Sequence, residues 1–233
     1  MFLIWIVMDS TSIIIPVYNE ETIITENTER LIEFLNQKKL KYEIFLCNNG
    51  STDDTLKLAK RLEKRYRNIN MISIPNKGVG TVFKKAVKLA KYDNIISVDM
   101  DLSTDLNFIP ASIKLLEKYD IVIGSKKMGS QKRSFLRTMP STIFIFLVKL
   151  FLNLPYNDYS MAAKAYKKEA IIKHIDKVDY GTSYVIDLIY FAKRDKRKII
   201  EIPVNCIDKR KSKFNLLHES LYRFKNLIKL AIK

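Results

Sequence analysis

The sequence predicts an α/β protein built on a mostly parallel sheet with flanking helices. Three observations predict it. Continuous β-branched and apolar runs such as Ser12–Val17 read as strands buried on both faces. Segments with helical spacing alternate with them, which implies right-handed βαβ crossovers. Polar residues stand at the end of run after run, at the sheet edge where open α/β sheets bind ligands.

Ser12–Val17 is the first predicted strand, and Glu20–Gln37 follows with Ile24, Leu31, Ile32 and Leu35 on one side. Tyr42–Cys47 is the second strand. The run Asn48-Asn49-Gly50-Ser51-Thr52-Asp53 is turn chemistry, with Thr52 as the expected cap of a helix reaching Arg65. Ile69–Ile74 is the third strand, closed by Pro75-Asn76-Lys77-Gly78, and Val79–Lys91 the third helix. Asn94–Val98 is the fourth strand, Leu106–Lys118 a helix, and Asp120–Gly124 the fifth strand. The second half differs. Ser134–Leu154 is rich in Phe, Leu and Ile, and Pro140 either kinks it or begins a helix of about three turns. That helix suits either a core position or the headgroup region of a membrane. Phe214–Lys233 is amphipathic.

With 233 residues, 47% of them apolar, the chain supports one large domain. It reads as a single unit, 1–233, with one half at about 12–125 and a second at about 126–233. A net charge of +16 asks for an anionic partner. Cys47 and Cys206 form no C-x-x-C pair, so no zinc site or disulfide framework is indicated, and a reducing cytoplasm fits. The apolar Met1–Met8 is too short to span a bilayer and lacks the basic leader of a signal peptide; an extra strand or a mis-chosen start is expected there rather than a membrane anchor. No charge-free apolar stretch of about 18 residues occurs, so no transmembrane helix is expected.

The fourth strand ends in Val98-Asp99-Met100-Asp101-Leu102-Ser103. Residues i and i+2 of a strand face the same way, so Asp99 and Asp101 can converge on one point. Two carboxylates there suit a hard divalent cation that also holds phosphates.

Together these motifs resemble the GT-A inverting glycosyltransferases, and among them the dolichyl-phosphate and polyprenyl-phosphate sugar synthases. Ile14-Ile15-Pro16-Val17-Tyr18-Asn19-Glu20-Glu21 is similar to that family's first-strand signature, and residues 49–55 to its second-strand turn. Asn76-Lys77-Gly78-Val79-Gly80 resembles its glycine turn, and Asp99-Met100-Asp101 its metal motif. Ile123–Lys126, Arg137 with Ser141, Asp158–Ala162, Glu201–Val204 and Ser212-Lys213 follow in the order of the polyprenyl-phosphate branch. Departures are Asn48-Asn49 in place of Asp-Asp, Lys126 and Lys209 in place of arginines, Ser103 in place of a glutamine, and a shortened 209–213 loop. Lysine keeps the charge but lacks the bidentate fork.

The resemblance implies a donor that is a GDP- or UDP-sugar and an acceptor that is a polyprenyl or dolichyl phosphate. It implies metal-dependent, inverting transfer at the cytoplasmic membrane face, with Mg²⁺ or Mn²⁺ as cofactor. Pro16, Tyr18, Glu20, Asn49, Lys77, Asp99, Met100, Lys209 and Lys213 would hold the nucleotide sugar, and Asp99, Asp101 and Ser103 the metal. Asp101, Lys126, Arg137 and Ser141 would be the catalytic set. A lipid phosphate is already anionic at neutral pH and needs cations rather than a base. Two other readings stand beside this one: a hydroxyl acceptor served by Asp187 as base, and a basic nucleotide- or lipid-binding protein without catalysis. Peripheral attachment to an anionic membrane accounts for the charge, and no nucleic acid is expected.

Overall fold

A computed structural model describes residues 10–129, 135–207 and 216–232. Met1–Met8 lies outside them. Among the described residues the strands are β1 (Ser10–Val17), β2 (Lys41–Asn49), β3 (Ile69–Ile74), β4 (Asn94–Ser97), β5 (Ile121–Ser125), β6 (Lys164–Lys167) and β7 (Ile199–Pro203). They form one sheet in the order β3-β2-β1-β4-β6-β5-β7. All pairings are parallel except those of β6, which runs antiparallel to β4 and β5. Strand order reverses between β1 and β4, the topological switch point at which such sheets bind ligands.

The helices are α1 (Ile24–Gln37), α2 (Thr55–Arg65), α3 (Val79–Leu89), α4 (Phe108–Leu116), α5 (Phe135–Leu152), α6 (Lys168–Ile172), α7 (Tyr184–Arg194) and α8 (Leu216–Ala231). They cover both faces, as the β-branched runs require. Alternation along β1 and β2 sends Ile13, Ile15, Ile44 and Leu46 to the face under α1, α2 and α4. Ile14, Phe45 and Cys47 go to the opposite face, with residues of α3, α5, α7 and α8.

Three local expectations are corrected. Thr52 does not cap α2. Its N–H donates to Asn19 Oδ1 at 2.8 Å, and the Thr55 N–H at the helix start is taken by Asp53 Oδ1 at 3.0 Å. The helix expected from Glu20 begins at Ile24, because residues 21–23 form a turn in which the Glu20 carbonyl accepts the Ile23 N–H at 3.0 Å as well as the Ile24 N–H at 2.9 Å. Helix α5 runs through Pro140 rather than starting at it. A proline costs one i→i−4 bond there, a loss outlasted by the turns that follow.

Candidate active site

Each strand of the parallel half ends at the same edge and delivers its polar residue there. Past β1, the Lys77 ammonium sits 4.1 Å from the centroid of the Tyr18 ring, a cation–π contact that fixes one aromatic face. Past β2, the Asn49 carboxamide oxygen accepts the Gly78 N–H at 2.6 Å and pins the glycine turn. Asn48 donates to Ser73 Oγ at 2.9 Å and accepts the Ser51 N–H at 3.3 Å. The two asparagines therefore carry structural bonds that link β2 to β3, to the turn between β2 and α2, and to the glycine turn before α3. Pro16 is half-buried opposite Cys47 of β2. Met100 is buried in the core, with its carbonyl accepting from Asn27 Nδ2 at 3.0 Å.

The chain turns sharply after β4. Leu102 takes φ 47°, a left-handed conformation that costs energy for a non-glycine residue. The turn carries the Ser103 N–H back onto Asp101 Oδ1 at 3.0 Å. Asp99 Oδ2 accepts the Ala162 N–H at 3.3 Å, so the carboxylate pair is tied to the 158–162 stretch of the second half. Desolvation, and then repulsion from Asp101, push the Asp99 carboxyl up to about 6, against the pull of Lys164 and Lys126.

Beneath this point lies a charge network that strand–helix reasoning did not find. Lys164 is fully buried. Its ammonium donates to the carbonyls of Met161 at 3.0 Å and Gly124 at 3.3 Å, and stands 3.9 Å from Asp158 Oδ1. Asp158 Oδ1 also accepts the N–H groups of Ser160 and Met161. Burial raises the Asp158 pKa, but Lys164, Lys126 and the two N–H bonds outweigh it and hold the carboxyl below its usual range. Desolvation lowers the Lys164 pKa, against the pull of Asp158 and Asp99. The available signal was Lys164 itself, a charge inside the small-residue run Met161-Ala162-Ala163-Lys164-Ala165.

Past β5, Lys126 lies within electrostatic reach of Asp99 and Asp158. Its neighbour Lys127 donates to Thr142 Oγ1 at 2.9 Å, next to Ser141 on α5. Arg137 belongs to the first turn of α5, and its side chain, like Lys209 and Lys213, lies outside the described residues. Asp187 is buried on α7, and its Oδ2 accepts the Asp179 N–H at 2.7 Å.

Two carboxylates, each with a second oxygen beyond the one in its backbone bond, fit a hard divalent cation that takes few protein ligands and completes its shell with water and phosphate oxygens. The raised Asp99 pKa fits too, since a cation between the carboxylates would relieve their repulsion. Among the described residues no cluster of three or more His, Cys, Asp or Glu side chains forms a self-sufficient metal cage.

The sequence profile of glycosyl transferase family 2 matches residues 12–175. The chain belongs to that family. It is 28% identical over 221 residues to glycosyltransferase AglD of Haloferax volcanii, covering 90% of this chain and 35% of AglD. It is 27% identical over 245 residues to a dolichyl-phosphate beta-glucosyltransferase of Dictyostelium discoideum, covering 95% of this chain and 74% of that protein. The chain thus spans about a third of one relative and three quarters of the other. The fold is shared with glucosyl-3-phosphoglycerate synthase from Mycobacterium tuberculosis, solved in complex with Mn²⁺, UDP and phosphoglyceric acid. The TM-score is 0.66 and the identity 17%, over 95% of this chain and 78% of that one. The shared fold accounts for the α/β sheet.

Proposed function

We propose that this family member transfers a sugar from a nucleoside diphosphate sugar to a polyprenyl phosphate at a membrane surface, with inversion and with a divalent cation. The single observation that carries the proposal is the bond between Asp99 and the Ala162 N–H. It joins the donor-side carboxylates to the second-half stretch that, with Lys126, faces the acceptor.

Tyr18, Lys77 and Asn49 frame the nucleotide at the ends of β1 and β2, with Pro16 and Glu20 beside them and Met100 supporting from the core. Lys209 and Lys213 are proposed to add positive charge for binding the nucleotide sugar. Asp101, oriented by the Ser103 N–H, and Asp99 would hold Mg²⁺ or Mn²⁺, with Ser103 beside them. Such a cation, when bound, neutralises the charge that grows on the leaving diphosphate. Lys126, Arg137 and Ser141 orient the acceptor phosphate, whose own oxygen is the nucleophile, so no side chain has to take a proton. Asp187, bonded to the Asp179 backbone, serves as a brace rather than a base.

The membrane reading is supported by two parallel exposures. Ile143, Phe146 and Leu150 of α5 are exposed at a 3–4 spacing, and Leu221, Phe224 and Ile228 of α8 repeat that spacing. The exposed Lys149, Lys225 and Lys229 stand among them. Apolar faces edged by lysines suit an anionic lipid surface. No helix among the described residues is long and apolar enough to cross a membrane. One unit with a donor half and an acceptor half remains the proposed organisation, on the cytoplasmic face.

The test compares Arg137→Ala with Asp187→Asn. Losing one charged hydrogen bond costs about 1.5–3 kcal/mol, roughly ten- to a hundredfold in rate. Arg137→Ala is expected to lose turnover with lipid phosphate by that factor while nucleotide binding holds, and Asp187→Asn to lose far less. An inactive Asp187→Asn beside a near-normal Arg137→Ala would mean a hydroxyl acceptor.

A further inference from the structure

We infer that Asp179 is a positioning residue for the donor, linking helix α8 to the first turn of α3, which directly follows the glycine turn Asn76–Gly78. The inference rests on the donor reading of the strand-end turns. Asp179 and Tyr222 both lie beyond the residues matched by the family profile.

Asp179 is the hub of the loop between β6's trailing helix α6 and α7. Its carboxylate accepts the Tyr222 hydroxyl, 2.7 Å from Oδ1 and 2.8 Å from Oδ2. Its Oδ2 also accepts the N–H groups of Gly181 at 2.9 Å and Ser183 at 3.1 Å. Its own N–H is held by Asp187. Burial, then the bond to Asp179, raise the Tyr222 pKa and keep its hydroxyl a donor. Two further side-chain bonds tie α8 to the same loop: Asn226 to Ser183 at 3.3 Å, and Thr182 to Glu219.

On its other side the loop presses on the first turn of α3. A Cβ at Gly80 would stand 2.2 Å from the Asp179 carbonyl oxygen and 2.9 Å from that of Gly181, so only glycine fits. The Thr81 N–H, one of the helix-start donors that lack an intrahelical partner, donates to the Tyr180 carbonyl at 3.0 Å. Gly181 packs against the Tyr222 side chain, since a Cβ there would lie 2.5 Å from its hydroxyl. With so little slack, a shift of Asp179 must move the start of α3. The turn just before that start carries Lys77 over Tyr18 and Gly78 on Asn49. Tyr222 therefore sets the donor pocket through Asp179, without touching the donor.

The experiment uses the full chain and two variants, Tyr222→Phe and Asp179→Asn, the second covering the case in which the first fails to fold. UDP and GDP are titrated calorimetrically in Mn²⁺, and amide exchange is followed at Thr81. Weaker nucleotide binding, by roughly tenfold, is expected from the loss of a charge-assisted bond, together with faster exchange at Thr81. In turnover the donor KM rises while kcat at saturating donor and the acceptor KM hold, a split that general loss of stability would not produce. Unchanged Thr81 exchange, or unchanged nucleotide affinity in a variant beside a wild type that binds, overturns the inference alone. A wild type that binds neither nucleotide overturns the donor reading and the inference with it.

Discussion

Replacing Lys164 with methionine tests the buried network directly. The side chain is fully buried, with two carbonyls and the Asp158 carboxylate around its ammonium. Methionine fills nearly the same volume, so the cavity cost is small. What is lost is the only cation drawn within 4 Å of Asp158 among the described residues. Asp158 Oδ2 has no hydrogen-bond partner, so the buried carboxylate would keep only the hydrogen bonds to Oδ1 and the more distant charge of Lys126. Breaking a buried pair from one side costs about 3–5 kcal/mol. For a chain of this size each kcal/mol lowers Tm by about 2–4 °C, so a fall of roughly 6–20 °C is expected. Removing both charges, with Lys164→Met and Asp158→Asn together, should recover most of that loss, because paired polar deletion can be nearly neutral. Thermal unfolding of wild type, both single variants and the double variant closes the cycle. A fall below about 2 °C for Lys164→Met, or a double variant no better than the single, would refute the account of this network.

Asp101→Ala should abolish transfer and Mn²⁺-stimulated nucleotide binding with Tm within about 2 °C of wild type, as expected for a strand-end rather than a core residue. Full activity of that variant in a chelator would contradict the metal role. Asp158 has a depressed folded pKa, so its stabilising contribution is present above the ordinary carboxylate value of about 3.9 and is lost as pH falls through the folded one. Acid unfolding below about pH 4 should accordingly be steeper in wild type than in Asp158→Asn, and equal slopes would be the contrary result. Changing Phe146 and Phe224 to serine should release the protein from anionic vesicles in flotation assays, while raised salt alone releases it only in part. Unaltered flotation would mean that the α5 and α8 faces do not meet lipid.

The parallel half was legible because β1, β2 and β4 are buried on both faces. A strand of that kind reads as an unbroken β-branched run, as in Ile13-Ile14-Ile15, and the polar residue after it marks the sheet edge. Tyr18, Asn49, Lys77, Asp99 and Lys126 were visible on that ground. Strand β6 was not, since Lys164-Ala165-Tyr166-Lys167 is short and carries charges that only tertiary contacts explain. Its antiparallel insertion between β4 and β5 leaves no local trace either, because strand order depends on contacts distant in sequence. Thr52 misled because a hydroxyl in turn chemistry caps a helix only when no competitor is nearer, and Asp53 was. The brace from Tyr222 to Asp179 spans 43 residues and had no motif to announce it.

Incubating the purified chain with radiolabelled nucleotide sugars, Mn²⁺ and either a polyprenyl phosphate or the matching polyprenol tests the central claim most directly. Label should enter the organic phase only with the phosphate, and depend on Asp101. Label transferred to the alcohol, or to neither lipid while a soluble glycan supplied in a parallel incubation is labelled, would contradict it.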